Sequence, residues 1–265
     1  GKEWFKIIII NWLLTILTLG IYYPWARAKS LRYMYGKTVL NNEHFHFSGT
    51  GKEMFRGFIK VILGYVLLSV LIVVISLITP ILAGVVLYLV VFLFIPFAIH
   101  GSFKYKMSRT SYRGIRFGYR GERKEFILNF IKWVFLTIIT LGIYSFWLEM
   151  NVRKYTHENI RYGDVEFTNT SDGWDWFGVM FFGYLKTIFS FGIYFFWWQR
   201  DIFDYYINNI GMKKGDQIVK CHSTATGGDF FELIIGNLFI IIFSFGLGIA
   251  WVDIRTQKFI FEHIK

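Results

Sequence analysis

A single cysteine, three prolines and few charges set this 265-residue chain apart by what it does without. With Cys221 alone, an intramolecular disulfide framework and a four-cysteine zinc site are both excluded, and a reduced compartment is expected. Three prolines leave most apolar stretches free to run as helices, so each proline present marks a candidate break. Charged residues make up 18% of the chain, below the roughly 25% of soluble domains, while 54% are hydrophobic, 21% are aromatic and the mean hydropathy is +0.42. Ser-His-Asp order, a His-Glu-x-x-His helix and paired catalytic carboxylates are also missing, so an enzyme is not expected. Gly49-Thr50-Gly51-Lys52 lies between a strand and a helix but lacks Walker spacing and a Ser or Thr after the lysine, which makes it ordinary turn chemistry.

What is present points to a membrane. The 39 residues from Val61 to Ile99 carry no charge, and Thr79-Pro80 divides them into halves of about 19 residues. At about 1.5 Å per residue each half approaches the roughly 30 Å of a bilayer core. The net charge of +11 is concentrated on both flanks: Arg27 to Arg56 holds six basic and two acidic residues, Lys104 to Glu125 eight and two. By the positive-inside rule both flanks face the cytoplasm. Membrane lipids are the expected partners of that charge; nucleic acid is not, since no RNA- or DNA-binding pattern accompanies it. The first apolar stretch lacks a small-residue cleavage site and is expected to be retained structure.

A register recurs four times. An apolar stretch ends at Gly20, Gly142, Gly192 or Gly246; five residues on stands Trp25, Trp147, Trp197 or Trp251, and thirteen on Tyr33, Tyr155, Tyr205 or Phe259. Such spacing signals internal repetition. Short alternating segments follow, with Val39 to Phe47 reading as two strands across an Asn-Asn turn and related strands at 112–117, 165–167 and 217–221. Thr50 and Glu53 are spaced as a capping box. The expected fold class is a mainly α, polytopic integral membrane protein: helix-break-helix hairpin modules around a central transmembrane helical hairpin, with a small cytoplasmic β layer. The expected division is a first repeat module with its β-hairpin at 1–56, the transmembrane hairpin at 57–100 and a basic strand segment at 101–125. Modules two to four follow at 126–173, 174–230 and 231–265.

Two topologies remain open. The legs Ile7 to Leu19 and Leu233 to Phe245, at 13 residues and roughly 20 Å, fall short of a crossing, which favours re-entrant hairpins that keep every strand segment on one side. Six full spans with the four tryptophans as an interfacial belt are the alternative, because 7–26 is charge-free over 20 residues.

The segments Thr18 to Arg27, Leu31-Arg32-Tyr33, Tyr112 to Gly121 and Thr140 to Tyr144 together resemble the YjgN-like family of bacterial inner-membrane proteins, across essentially the whole chain. The resemblance implies a multi-pass protein of the bacterial inner membrane, with soluble segments mostly cytoplasmic, and brings no activity or catalytic residue. Ser145-Phe146 replaces the Tyr23-Pro24 of the first copy, so a milder second bend is expected.

Lys186 is the leading candidate for binding, with ten uncharged residues before it and twelve after it inside Trp176 to Trp198. An ammonium in a membrane costs about 3 kcal/mol or more, unless it snorkels to the head groups. A partner in Glu232 or Asp253 is expected if it faces the bundle, whereas Asn11 and Asn237 are expected to bond between helices. Arg113, Arg116 and Arg120, among Tyr112, Phe117 and Tyr119, form a candidate head-group patch, since guanidinium forks bind phosphate bidentately. His44, His46 and Cys221-His222 lack the spacing of a metal motif, so no metal or cofactor is expected. The expected function is transport or binding of a lipid or amphiphilic small molecule; the alternative is a non-catalytic scaffold in an inner-membrane complex or a homo-oligomer.

Overall fold

The computed structural model describes residues 1–265, with the side chains of all but Leu89 and Val91. Among the described residues the chain forms ten helices and eight strands, grouped in two compact units, one of residues 7–131 and one of residues 1–6 with 132–265. The order is α1 (Lys2–Leu17), α2 (Tyr23–Lys37), β1 (Val39–Leu40), β2 (Glu43–Phe47), α3 (Gly51–Ile78), α4 (Pro80–Arg109), β3 (Thr110–Tyr112), β4 (Ile115–Tyr119) and α5 (Arg123–Ile139). Then follow α6 (Ser145–Glu158), β5 (Ile160–Tyr162), β6 (Val165–Asn169), α7 (Gly173–Phe189), α8 (Phe195–Asn208), β7 (Ile210–Lys214), β8 (Gln217–Lys220), α9 (Gly227–Phe243) and α10 (Ile249–Glu262).

Among the described residues only α3 and α4, at 28 and 30 residues, are long and apolar enough to cross a membrane by length and composition. Their break falls at Thr79-Pro80, where proline cannot supply the next intrahelical N–H. At the other end of this pair Thr50 and Glu53 form a reciprocal capping box, and the same Glu53 carboxylate holds Arg109 at 2.8 Å and accepts from the Tyr105 hydroxyl at 3.4 Å. One acidic residue thus caps α3 and ties its start to the end of α4.

The remaining described helices have 14 to 17 residues and come in pairs joined by the same turn. In each turn a bulky residue takes the left-handed conformation, Leu19 (φ 49°), Leu141 (50°), Phe191 (52°) or Phe245 (51°), and the following glycine lies at φ 91°, 95°, 90° or 85°. The glycine N–H reaches back to the carbonyl five residues earlier at 2.7–2.9 Å, closing the helix end as a Schellman turn does. A hydroxyl two residues before the glycine (Thr18, Thr140, Ser190, Ser244) accepts the first free N–H of the next helix at 2.6–2.9 Å. The Ser145-Phe146 turn is therefore no milder than the one with Tyr23-Pro24. The left-handed pair and the hydroxyl make the bend, so proline is dispensable.

The tryptophans five residues past these glycines each press on a glycine that begins another helix. A Cβ built on Gly51 would lie 2.4 Å from Trp25, on Gly173 2.2 Å from Trp147, on Gly227 2.4 Å from Trp197 and on Gly1 2.4 Å from Trp251. Only a residue without a side chain lets an indole lie flat on the first turn of the next helix.

Each unit carries a four-stranded antiparallel meander. In residues 7–131 the order is β1-β2-β3-β4, with Val39 opposite His44, Phe45 opposite Tyr112 and Ser111 opposite Arg116. In the other unit it is β5-β6-β7-β8, with Arg161 opposite Glu166, Phe167 opposite Met212 and Lys213 opposite Ile218. The β structure is more extensive than a minor layer. Sequence reading misses Ile160–Tyr162 and Ile210–Lys214, because each begins within two residues of a charged aromatic helix and reads as its tail.

Thermal melts in detergent are expected to rank three substitutions. Gly173→Ala drives a methyl into Trp147 and is expected to cost about 1–3 kcal/mol. Gly142→Ala meets open space but holds φ 95°, for a loss of about 1–2 kcal/mol. Gly57→Ala, inside α3 with nothing near it, is expected to match or exceed the parent. A Gly173→Ala melt equal to the parent would remove the proposed role of the Trp147 contact.

Candidate functional site

The α7–α8 hairpin departs from its fellows in composition. Where the other three incoming helices carry Leu14, Leu136 and Ile240 six residues before the glycine, α7 carries Lys186. Its ammonium lies 3.5 Å from the Tyr194 hydroxyl and 5.1 Å from that ring's centroid. Tyr194 in turn donates to Asp201 at 2.8 Å, Asp201 holds Arg200 at 2.9 Å, and Arg200 reaches Asp204 at 3.6 Å. Two cations and two carboxylates thus make a neutral network along one side of the hairpin. The predicted partners of Lys186 lie elsewhere: Glu232 pairs with Arg255 at 3.5 Å, and Asp253 accepts from Trp4 Nε1 at 3.3 Å.

A cavity of about 410 Å³ opens beside this network, lined by Gly178, Val179, Phe182, Gly183, Lys186, Asp201, Asp204 and Tyr205. Gly183, on the cavity wall, makes room for Trp198, which lies where its Cβ would be, 2.0 Å away. Asp204 Oδ1 and Trp198 Nε1 are buried with no hydrogen-bond partner among the described residues, while Arg200 Nε has only its 3.6 Å ion pair with Asp204. Of these, Asp204 lines the cavity, and its unpaired acceptor leaves capacity for a ligand that donates a hydrogen bond.

Beyond the cavity a second cluster joins α6, α7 and α8. Glu149 accepts from Trp176 Nε1 at 3.0 Å and from the Tyr206 hydroxyl at 2.6 Å, while the Arg153 guanidinium stacks 3.7 Å from the Tyr206 ring centroid. The Tyr205 hydroxyl donates to the Asp172 carbonyl at 2.6 Å and accepts its N–H at 2.9 Å, tying α8 to the start of α7. Burial pushes the Tyr205 phenol up to about 12, and burial together with Glu149 raises Tyr206. Tyr205 belongs to the recurring register, but Glu149, Arg153 and Tyr206 escape sequence reading. One signal for them is a shared offset: Glu149 and Asp253 stand seven residues past their glycines, and Trp176 and Trp4 three residues past Gly173 and Gly1, where the second pair makes the same bond.

Arg113, Arg116 and Arg120 lie on or just after the β3–β4 hairpin of the other unit, all exposed. Arg113 takes a left-handed conformation (φ 48°) and lies 5.4 Å from the Tyr112 ring centroid. Asn11 donates to the Ala26 carbonyl at 3.2 Å and Asn237 to Thr256 at 3.2 Å, both between paired helices. The His44 ring is engaged with the Gly36 carbonyl at 2.8 Å, and burial raises the Cys221 thiol. Among the described residues no three His, Cys, Asp or Glu side chains gather in a metal-binding group.

With this geometry in hand, comparison with known proteins gives a family. The one described as "Bacterial protein of unknown function (DUF898)" matches residues 1–199 and 177–265. The chain belongs to this YjgN-like family. Inner membrane protein YjgN of Salmonella typhimurium strain LT2 is 37% identical over 120 residues, 45% of this chain and 29% of that protein. Its namesake in Escherichia coli strain K12 is 32% identical over 126 residues, 48% of this chain and 31% of that protein. The matched stretch thus covers about 30% of the length of these curated relatives. No solved structure matches the chain significantly.

His157 on α6 supplies a pH test of the cluster at the base of these hairpins. Its Nδ1 lies 2.7 Å from the Arg153 carbonyl, and burial holds its imidazole below the ordinary 6.5. The unfolded chain therefore takes up the proton first as pH falls through about 6.5, and stability drops with acid until the depressed folded value is passed. Melting temperatures between pH 8 and 5 are expected to fall less for His157→Gln than for the parent. Parallel curves would remove His157 as the cause.

Proposed function

We propose that this protein is a multi-pass inner-membrane protein that binds or moves a lipid or similar amphiphile through the α7–α8 cavity, without catalysing a reaction on it. The observation that carries the reading is Lys186: a lysine within an apolar leg, linked through Tyr194 and Asp201 to Arg200 and Asp204, beside an open cavity. A charge in such a setting is costly and marks function by default. The inner-membrane location follows the relatives' names.

In this reading the four helix pairs are copies of one module that dips into the cytoplasmic leaflet and returns, while α3 and α4 cross. Two features support it. Each turn tip is a large apolar side chain standing almost bare: Leu19 94%, Leu141 94%, Phe191 98% and Phe245 96% exposed. Arg27, Glu149, Arg200 and Asp253 lie only seven or eight residues past the glycine, about 10–12 Å along the helix. A tip that crossed the roughly 30 Å core would drag those charges into it, whereas a tip in one leaflet leaves them at the head groups. The basic residues Arg113, Arg116 and Arg120 then face anionic lipid on the cytoplasmic side.

The second reading, a scaffold for another membrane protein or for further copies of this chain, draws on β8, whose Ile218 and Val219 are exposed on a strand paired with β7 alone among the described strands. Such an edge accepts an added strand.

Two measurements test the proposal. In a Cys221→Ser background, cysteines at Ser48, Thr168 and Ser223 are expected to label from the cytoplasmic side. Cysteines at Leu141 and Phe191 are expected to resist aqueous reagents from both sides. Labelling of Leu141→Cys from the periplasm would establish a full crossing and end the re-entrant topology. For binding, lipid retained through detergent exchange is expected to fall severalfold in Lys186→Leu with an unchanged melt; equal retention would return Lys186 to a snorkelling role.

A further inference from the structure

The geometry points to a specific ligand chemistry for the α7–α8 cavity: a phosphate bearing a primary amine, as in the head group of an aminophospholipid. The inference rests on the binding function proposed above and names its ligand class.

The cavity network is neutral, with Lys186 and Arg200 against Asp201 and Asp204. A ligand of net charge would leave that balance uncompensated in a partly apolar setting, while a zwitterion preserves it. On the cavity wall, Asp204 Oδ1 is buried without a hydrogen-bond partner among the described residues and needs a donor. Lys186 bonds a single oxygen at the long distance of 3.5 Å, so it keeps protons for a phosphate.

The order of these groups along the hairpin matches a lipid's own polarity. Lys186 is six residues from Gly192, about 9 Å from the turn, whereas Asp201 and Asp204 are nine and twelve residues from it, about 14 and 18 Å. With the turn in lipid, the ammonium of Lys186 meets the deeper phosphate and the carboxylates meet the outer amine. A trimethylated amine has no N–H for Asp204, a glycerol head group leaves an uncompensated negative charge, and a serine head group sets a carboxylate against Asp201 and Asp204.

The test uses the full chain in detergent, titrated with phosphatidylethanolamine, phosphatidylcholine and phosphatidylglycerol of identical acyl chains and read by native mass spectrometry. Phosphatidylethanolamine is expected to bind about tenfold or more over the others, as one charge-assisted hydrogen bond predicts. Asp204→Asn is expected to abolish that preference, and Asp204→Glu to restore part of it, which separates ligand contact from a folding defect. Competition by soluble phosphoethanolamine would assign the site to the head group alone; its absence, with the preference intact, would assign it to the whole lipid. Equal binding of the three lipids would overturn the head-group assignment while leaving amphiphile binding standing. Binding of none would overturn both.

Discussion

A helix that ends in a sharp reversal leaves backbone groups to be paired, and that constraint shapes all four hairpins. The last turn of each incoming helix is closed by the glycine N–H, and the first free N–H of the outgoing helix is taken by a Thr or Ser hydroxyl from the same turn. The left-handed Leu or Phe before the glycine is the conformation that brings these groups together, at a cost of about 1–2 kcal/mol for a residue with a side chain. Asn or Gly would reduce that strain. At all four sites Leu or Phe is found instead, and its side chain stands almost bare.

The first turn of each outgoing helix is also fixed by contact, beyond its hydrogen bonds. An indole resting on a glycine at the start of another helix sets the spacing between successive elements to the thickness of one aromatic ring. The contact from Trp251 to Gly1 shows the same solution used between the last hairpin and the first helix, where Trp4 and Asp253 add the bond that Trp176 and Glu149 make elsewhere. Both partners are needed. A glycine without the tryptophan leaves a void, and any larger residue beneath the tryptophan forces it out.

Much of this was legible in the sequence because it depends on local chemistry. The break at Thr79-Pro80, the capping box of Thr50 and Glu53, the Asn41-Asn42 turn and the four glycines follow from residues within one turn of each other. The sharp bend at Ser145-Phe146 was not legible, since the eye goes to Pro24 while the Thr140 hydroxyl makes the turn. Glu149, Arg153 and Tyr206 were missed because their chemistry is assembled from separate helices, with Glu149 and Tyr206 standing 57 residues apart in the sequence. Lys186 was conspicuous by its setting, yet its partners were misplaced: a helix returning on itself offers Tyr194 and Asp201 before any distant acid can compete.

α7–α8 and α9–α10 carry cavities at equivalent places, about 410 Å³ and about 290 Å³, with different chemistry. Both incoming helices carry a glycine in the middle of the leg, Gly183 and Gly236, and both receive a large side chain from the returning helix. In α9–α10 that side chain is Arg255, whose guanidinium lies where the Gly236 Cβ would be, bonds the Glu232 carbonyl at 3.2 Å and pairs with its carboxylate. The cation fills the gap and is neutralised from the same helix. In α7–α8 the side chain is Trp198, which fills the gap with an apolar plate and leaves the charges of Arg200, Asp201 and Asp204 to one another. A carboxylate oxygen of Asp204 and the indole N–H of Trp198 then remain buried without hydrogen-bond partners among the described residues, which the charged pairing of Arg255 with Glu232 avoids in α9–α10.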